Sequence, residues 1–325
     1  MSKLCWLATG GTIASRLSDD GLTPSFTAQE LRQMTPQLSK YDIDCYDIME
    51  LDSTNLQPKD WLNLARWIEK FYDRYDGFVI THGTDTLNWT CCALHYMLNN
   101  LAKPIAVIGS QRTIEEKDTD AKRNLNAAFT LAARSDMPGV YAVCGGQIIK
   151  GIWAKKVYSE DVRSIQSVNF PPVAVFDDAK INWSDYRAIM PTGDFSVSYE
   201  LATKVAQVKI QPGLDSDILY MLADKGYKGI VLEAYGAGGI PFGSGDDCDI
   251  TAAAAKLIKR GIVIVCTSQC LHDGVHMDRY EVGIKACRAG IIPAGKLSSE
   301  AAAVKLMTAL GQKQTFEQIR SSFKA

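Results

Sequence analysis

The sequence predicts an α/β protein of two domains: a larger N-terminal doubly wound, mainly parallel sheet and a smaller C-terminal parallel α/β domain. Two observations carry this. Short β-branched runs alternate with amphipathic stretches through the first half, the pattern of βα units whose sheet is covered on both faces. Between about 177 and 198 the pattern gives way to polar sequence containing Pro191-Thr192-Gly193, after which a second βα series begins. The expected division is 1–185 for the N-terminal domain, 186–204 for a linker and 205–325 for the C-terminal domain.

Taken in order, KLCWLAT (3–9) reads as the first strand and ends in a Gly/Thr turn. Pro58 suits the first turn of a helix with an inner stripe of Trp61, Leu64, Ala65 and Ile68, spaced i, i+3, i+4, i+7. DGFVITHG (76–83) leads into the helix-like TDTLNWTCCALHYMLNN. KPIAVIGS (103–110) leads through a charged loop into DAKRNLNAAFTLAARS, and GVYAVCGG (139–146) follows. Beyond the linker come KGIVLEAYGAGG (228–239), the helix-like DITAAAAKLIKRG, GIVIVCTSQ (261–269) and a last helix near 298–310.

At 325 residues the chain can bury two cores, and its 46% hydrophobic and 22% charged content is that of a soluble globular protein. A formal charge of −2 gives no reason to expect nucleic acid or a membrane surface as partner, which leaves small neutral or zwitterionic substrates open. The nine cysteines form no CxxC pair, and several, such as Cys5 and Cys266, sit in apolar runs as small hydrophobes. That usage suits a reducing compartment. With no signal-like start and no apolar run of membrane-spanning length, the expected location is the cytoplasm.

In such sheets ligands bind at the carboxyl ends of the strands, and three polar segments are expected there. In Thr9-Gly10-Gly11-Thr12-Ile13-Ala14, paired glycines allow close backbone approach and leave Thr12 at a sharp bend; a plain tight turn or a phosphate cradle would read alike. The spacing lacks the GxGxxG of a dinucleotide site. In His82-Gly83-Thr84-Asp85-Thr86, helix capping explains one of the hydroxyl and carboxylate side chains, whereas three together point to a site. Ala154-Lys155-Lys156-Val157 is either a wet surface pair or carries a lysine that drives proton transfer beside Asp85.

TGGTIAS at 9–15, HGTDT at 82–86 and AKKV followed by SVN at 167–169 resemble the asparaginase family, over about residues 3 to 310. LDSTNLQPKDW (51–61) and SQCLHDGVHMDRYEVG (268–283) are similar to its type I, cytosolic bacterial branch. The resemblance implies hydrolysis of L-asparagine to aspartate and ammonia, with Thr12 as nucleophile and an acyl-enzyme intermediate. Thr84, Lys156 and Asp85 would then form a proton-transfer triad. Ser53 and Thr54 would hold the substrate's α-carboxylate, and Asp85 its α-ammonium. Backbone N–H groups of Gly11 and Thr84 would form the oxyanion hole. A threonine hydroxyl is a poor nucleophile until a nearby group accepts its proton, which is the chemistry such a triad supplies. No metal or organic cofactor is implied. The implied assembly is a homotetramer, a dimer of dimers, with pockets completed across a subunit interface, and asparagine is the expected preference over glutamine.

Three positions depart from the family pattern. Leu22, in Gly21-Leu22-Thr23-Pro24, stands where many members carry a tyrosine, so no tyrosine proton relay carries over. Lys155 replaces a frequent threonine, and Glu233-Ala234 stand near where some type I members place an arginine, so effector binding by a second asparagine does not carry over either. The segment 15–25, with Arg16, Ser18, Asp19, Asp20 and Gly21, lacks the periodicity of a packed element and is expected to be a lid or an ordinary surface connection.

His272-Asp273-Gly274-Val275-His276 has HxxxH spacing, but a zinc helix needs a glutamate and no glycine, so a loop is expected. His95 reads as structural. Tyr235-Gly236-Ala237-Gly238-Gly239 reads as a turn without a partner in its own chain, able to line a neighbouring subunit's pocket. Two other readings stay open. One is an ammonia-donating subunit of a tRNA-dependent amidotransferase, which the start of the chain at the first catalytic strand argues against. The other is a nucleotide-binding module without catalysis.

Overall fold

A computed structural model describes residues 1–19, 21–243 and 247–324, in two compact units, Met1–Tyr199 and Glu200–Ala325. In the first, β1 (Lys3–Gly10) is buried from Leu4 onward and runs between parallel neighbours. A 3-10 turn, Thr12–Ala14, leads into a hairpin of β2 (Ser15–Ser18) and β3 (Gly21–Pro24). Helix α1 (Ala28–Gln33) starts with a capping box: Thr27 Oγ1 accepts from Glu30 N, and Glu30 Oε2 accepts from Thr27 N. After β4 (Asp42–Leu51) comes α2 (Pro58–Phe71), which buries the expected stripe of Trp61, Leu64, Ala65 and Ile68.

The chain continues through β5 (Gly77–Thr81), α3 (Leu87–Met97), β6 (Leu98–Asn99), β7 (Pro104–Ile108), α4 (Ala121–Ala132), β8 (Gly139–Cys144) and β9 (Gln147–Lys150). Short strands follow: β10 (Ala154–Lys156), β11 (Ile165–Ser167), β12 (Ala174–Phe176), β13 (Ile181–Trp183) and β14 (Ser196–Val197). Among the described residues the main sheet has eight strands in the order β13-β12-β9-β8-β7-β5-β1-β4. Its β4-β1-β5-β7-β8 half is parallel, and β9, β12 and β13 run antiparallel. Trp6 on β1 meets the Phe129 ring of α4 edge-on, with centroids 5.1 Å apart.

Residues 186–199, within the stretch read as linker, lie in the first compact unit, which ends at Tyr199. There β14 pairs with β6, Ser198 N donates to Met97 O, and Phe195 stacks on Tyr72 with centroids 3.7 Å apart. Strands of two or three residues carry no periodicity, so sequence patterning passes over them. The segment 15–25 is also more regular than expected, since β2 and β3 pair in register with Leu17 opposite Leu22. Asp20, between the two strands, lies outside the described residues.

The second unit holds β15 (Val205–Lys209), α5 (Asp217–Asp224), β16 (Gly229–Ala234), α6 (Ile250–Lys259), β17 (Val263–Ser268), α7 (Glu281–Arg288), β18 (Ile292–Pro293), α8 (Ser299–Gly311) and α9 (Phe316–Lys324). Its four strands are parallel in the order β15-β16-β17-β18. Asp249 and Ser298 cap α6 and α8 by accepting from Ala252 N and Ala301 N. Residues 272–276 lie in irregular chain with Gly274 at φ 70°, not on a helix. The 236–239 turn does have partners in its own chain: Ala237 O accepts from His276 N, Gly236 O accepts from the Ser268 hydroxyl, and Gly238 sits against Met277. Among the described residues no helix is long and apolar enough to cross a membrane.

Candidate active site

The carboxyl ends of β4, β1, β5 and β7 are neighbours in the sheet, so the loops that follow them are brought together by topology. Close backbone contact tightens the group. Gly11, at φ 79°, donates its N–H to Leu51 O at 3.0 Å, and a Cβ placed on it would fall 2.3 Å from Gly83 N. Gly83 is as crowded, since a Cβ there would lie 2.5 Å from Ser53 Oγ. Only glycine permits these approaches. Thr12 and Thr84, each one residue further on, follow directly from this glycine contact.

Side chains then cross-link the loops. Thr86 Oγ1 donates to Ser53 O at 2.8 Å, and Asp52 caps the Ser53–Asn55 turn through Thr54 N. Thr9 Oγ1 donates to Thr81 O, joining β1 to β5. His82 is fully buried, with Nδ1 2.7 Å from Gly83 O and Nε2 2.8 Å from Thr90 Oγ1. Burial pushes its pKa down to about 4, so the ring is neutral near pH 7.

Lys156 reaches this cluster by a route the motif alone does not show. In the sequence it follows a strand read as ending at Gly145-Gly146. Instead those glycines, both at positive φ, turn the chain back into antiparallel β9, and a 3-10 turn, Gly151–Trp153, then leads to β10. Lys156 Nζ donates to Thr84 Oγ1 at 2.9 Å and to Asp85 Oδ1 at 2.5 Å. Thr54 Oγ1 donates to the other Asp85 oxygen at 3.3 Å. The structure thus groups Thr84, Asp85, Lys156 and Thr54 by hydrogen bonds, with Ser53 buried next to Gly83.

Ser53 Oγ is buried, with no hydrogen-bond partner among the described residues. A buried hydroxyl left unpaired is costly unless a ligand meets it. Thr12 sits half-buried on the turn Thr12–Ala14, whose bend is held by Ala14 N and Ser15 Oγ donating to Gly11 O. Because the Gly11 N–H is engaged by Leu51 O, an oxyanion role for it requires that bond to open.

One contact partner escapes the sequence motifs. Thr84 Oγ1 donates to Gln111 Oε1 at 2.9 Å, and Gln111 Nε2 donates to Ser159 O at 2.7 Å. Gln111 is anchored from below: Asp120 accepts from the backbone N–H of Gln111 and Arg112, and Asn124 donates to Asp120 and to Gly109 O. The signal that could have found it is the polar Gly109-Ser110-Gln111 directly after an apolar strand, a position equivalent to the other two loops.

A cavity of about 330 Å³ in the first unit lies elsewhere, at the amino end of β8 beside Tyr141, Lys150 and Tyr186; among the described residues no carboxylate lines it, and none of the expected site residues does.

Comparisons with known proteins identify the family. The family model described as Asparaginase, N-terminal matches residues 3–188, and Glutaminase/Asparaginase C-terminal domain matches 204–323. The chain is 38% identical over 323 residues to an L-asparaginase of Thermococcus kodakarensis, covering 98% of this chain and 95% of that protein. The solved thermostable L-asparaginase from that organism superposes with a TM-score of 0.91 at 37% identity, over 99% of this chain and 97% of the other. L-asparaginase I from Vibrio cholerae gives 0.87 at 26% identity, again over 99% and 97%. A glutamyl-tRNA(Gln) amidotransferase subunit of Pyrococcus abyssi is 33% identical over 97% of this chain, which spans 73% of that relative. Two family models that together cover nearly the whole sequence, laid over a sheet whose strand ends gather Thr84, Asp85 and Lys156, establish that the chain belongs to the asparaginase family.

Proposed function

We propose that this protein is an L-asparaginase of the type I, cytoplasmic kind, hydrolysing the side-chain amide of free L-asparagine through a threonine-bound acyl intermediate. The observation that carries the reading is Lys156 Nζ held between Thr84 Oγ1 and Asp85 Oδ1 at 2.9 and 2.5 Å. In the reaction Thr12 Oγ1 attacks the amide carbon and gives its proton to the Thr84–Lys156–Asp85 group; the carbonyl oxygen gains negative charge, then re-forms its double bond as the C–N bond breaks and the group returns that proton to the leaving nitrogen, which departs as ammonia. Water then attacks the acyl carbon, releasing aspartate and restoring the Thr12 hydroxyl.

The hydrogen-bond directions define what the triad must do. In the resting arrangement the lysine ammonium donates to Thr84, while the Thr84 proton points at Gln111. For Lys156 to accept a proton from Thr84, its ammonium must first give one up and the Thr84 hydroxyl must turn from Gln111 towards it. Ser53 Oγ, Thr54 and Asp85 supply the hydroxyls and charge that a free amino acid's carboxylate and ammonium require. The Thr84 N–H is the oxyanion donor, together with Gly11 N–H once its bond to Leu51 O opens.

A shorter pocket should favour asparagine over glutamine by about 10–200-fold, the usual worth of one methylene. Assembly as a dimer of dimers belongs to the same reading, as does a reducing compartment for the nine cysteines. The amidotransferase likeness supports a second reading, an ammonia-supplying subunit, although the chain spans a smaller share of that relative than of the asparaginase. Ammonia release by the purified chain from free asparagine and glutamine tests the first reading. Release from neither, with recovery in the presence of a copurifying amidotransferase partner, would favour the second. Light scattering of the active species tests the assembly, and an active monomer would reject it.

A further inference from the structure

The Thr–Lys–Asp chemistry leaves the first residue of HGTDT unused, although it is an ionisable side chain buried completely beside the site. We propose that His82 is a positioning residue that fixes the orientation of the Gly83–Thr84 peptide, and so aims the Thr84 N–H at the reacting carbonyl. This rests on the hydrolase reading above.

The proton directions follow from donor and acceptor chemistry alone. A carbonyl oxygen only accepts, so the 2.7 Å contact of His82 Nδ1 with Gly83 O places the ring's one proton on Nδ1. Nε2 is then bare and accepts from the Thr90 hydroxyl at 2.8 Å. Thr90 Oγ1 in turn accepts from Trp61 Nε1, 3.2 Å away, and an indole N–H can only donate. The chain Trp61, Thr90, His82, Gly83 O therefore has a single polarity, running from α2 through α3 to the β5 loop. Burial disfavours the doubly protonated ring that would break this order.

A trans peptide is planar, with its C=O and N–H pointing opposite ways. With the Gly83 carbonyl drawn inward to a wholly buried imidazole, the Thr84 N–H turns outward, to the side of the loop away from the core. The Gly11 backbone rests directly on the His82–Gly83 peptide, so a flip there would also displace the bend that carries Thr12.

The test compares two substitutions. His82→Asn keeps an N–H near the position of Nδ1, whereas His82→Gln carries its amide to the Nε2 end and leaves Gly83 O without a donor. His82→Asn should keep kcat within about 10-fold of wild type. His82→Gln should lose about 10²–10³-fold in kcat, the usual worth of one oxyanion donor, with KM within about 3-fold. Equal kcat in two folded variants would overturn the proposal. ¹⁵N NMR of the wild-type imidazole tests it even if a variant fails to fold: a proton on Nδ1 with Nε2 bare is expected, and the opposite tautomer would overturn it. A wild-type chain that releases no ammonia from asparagine would defeat the hydrolase reading instead, and the tautomer would still decide the peptide orientation.

Discussion

Two segments follow strands of the same sheet half, and they are held in opposite ways. In the 82–86 loop nearly every polar group is tied to another element: His82 to Thr90, Thr84 to Gln111 and Lys156, Asp85 to Thr54, and Thr86 to Ser53. The β2–β3 hairpin rests on its own ladder, a Ser18–Thr23 contact and Arg16, which lies over Phe26 and reaches Glu30 at 3.8 Å. It leaves Leu17 82% and Leu22 51% exposed. Groups that stabilise developing charge act best when already oriented. A segment that must open and close is drawn from the least stable part of a fold. The same sheet supplies both, by tying one segment down and leaving the other apolar and exposed.

If that contrast is right, changes at the tied cluster should act on chemistry and changes in the hairpin on closure. The largest effect is expected from Thr12→Ala, which removes the attacking oxygen. Ammonia release should become undetectable while the circular dichroism spectrum and Tm stay close to wild type. Appreciable turnover by the folded variant would exclude a covalent Thr12 pathway. Lys156→Met comes next, with kcat lowered by about 10²–10⁴-fold, the range for a general acid–base group. Wild-type kinetics in this variant would move the role to Lys155, its neighbour in β10.

These residues differ in how legible they are in the sequence. The α2 stripe and the buried strands show because burial on one side imposes a period of 3.6, and burial on both sides imposes continuous apolar runs. Thr12, Ser53, Thr54, Thr84 and Asp85 fall at strand ends, where a parallel sheet places its ligand, so position and motif agree. Lys156 is legible as a residue but not in its path, because a strand that reverses at Gly145-Gly146 looks locally like one that ends there. Gln111 is legible only as a polar residue after an apolar strand; its contact with Thr84 comes from β7 lying beside β5 and from Asp120, nine residues on. The hairpin escapes because neither four-residue strand buries a face against the core, and alternation is a signature of burial.

A smaller effect concerns acid stability of the tied cluster. His82 is held at about 4 against an ordinary 6.5, so below pH 6.5 the unfolded chain takes up a proton that the folded chain refuses. The contribution is constant above 6.5 and is lost as pH falls towards 4, where it amounts to about 3 kcal/mol. Urea midpoints measured from pH 7.5 to 4.5 should fall more steeply for wild type than for His82→Asn. Parallel slopes would mean that His82 is readily protonated in the folded protein and that the loop is looser than its hydrogen bonds indicate.

The smallest effect is expected at Leu22, and it tests the other side of the comparison. Fully burying a leucine is worth about 1.5–3 kcal/mol, and Leu22 is half-exposed, so a closing contact could supply only part of that. Leu22→Ser should therefore lower kcat/KM by about 3–10-fold, with little change in Tm, because no core residue is removed. Leu22→Tyr, of similar apolar reach, should retain activity, with proton transfer left to Thr84, Lys156 and Asp85. If the hairpin closes over bound amino acid, proteolytic nicking within 15–25 should slow when aspartate is present at saturation. Unaltered kinetics in Leu22→Ser together with unchanged nicking would make the hairpin a surface ornament, and the tied loops alone would then have to keep water from the acyl intermediate.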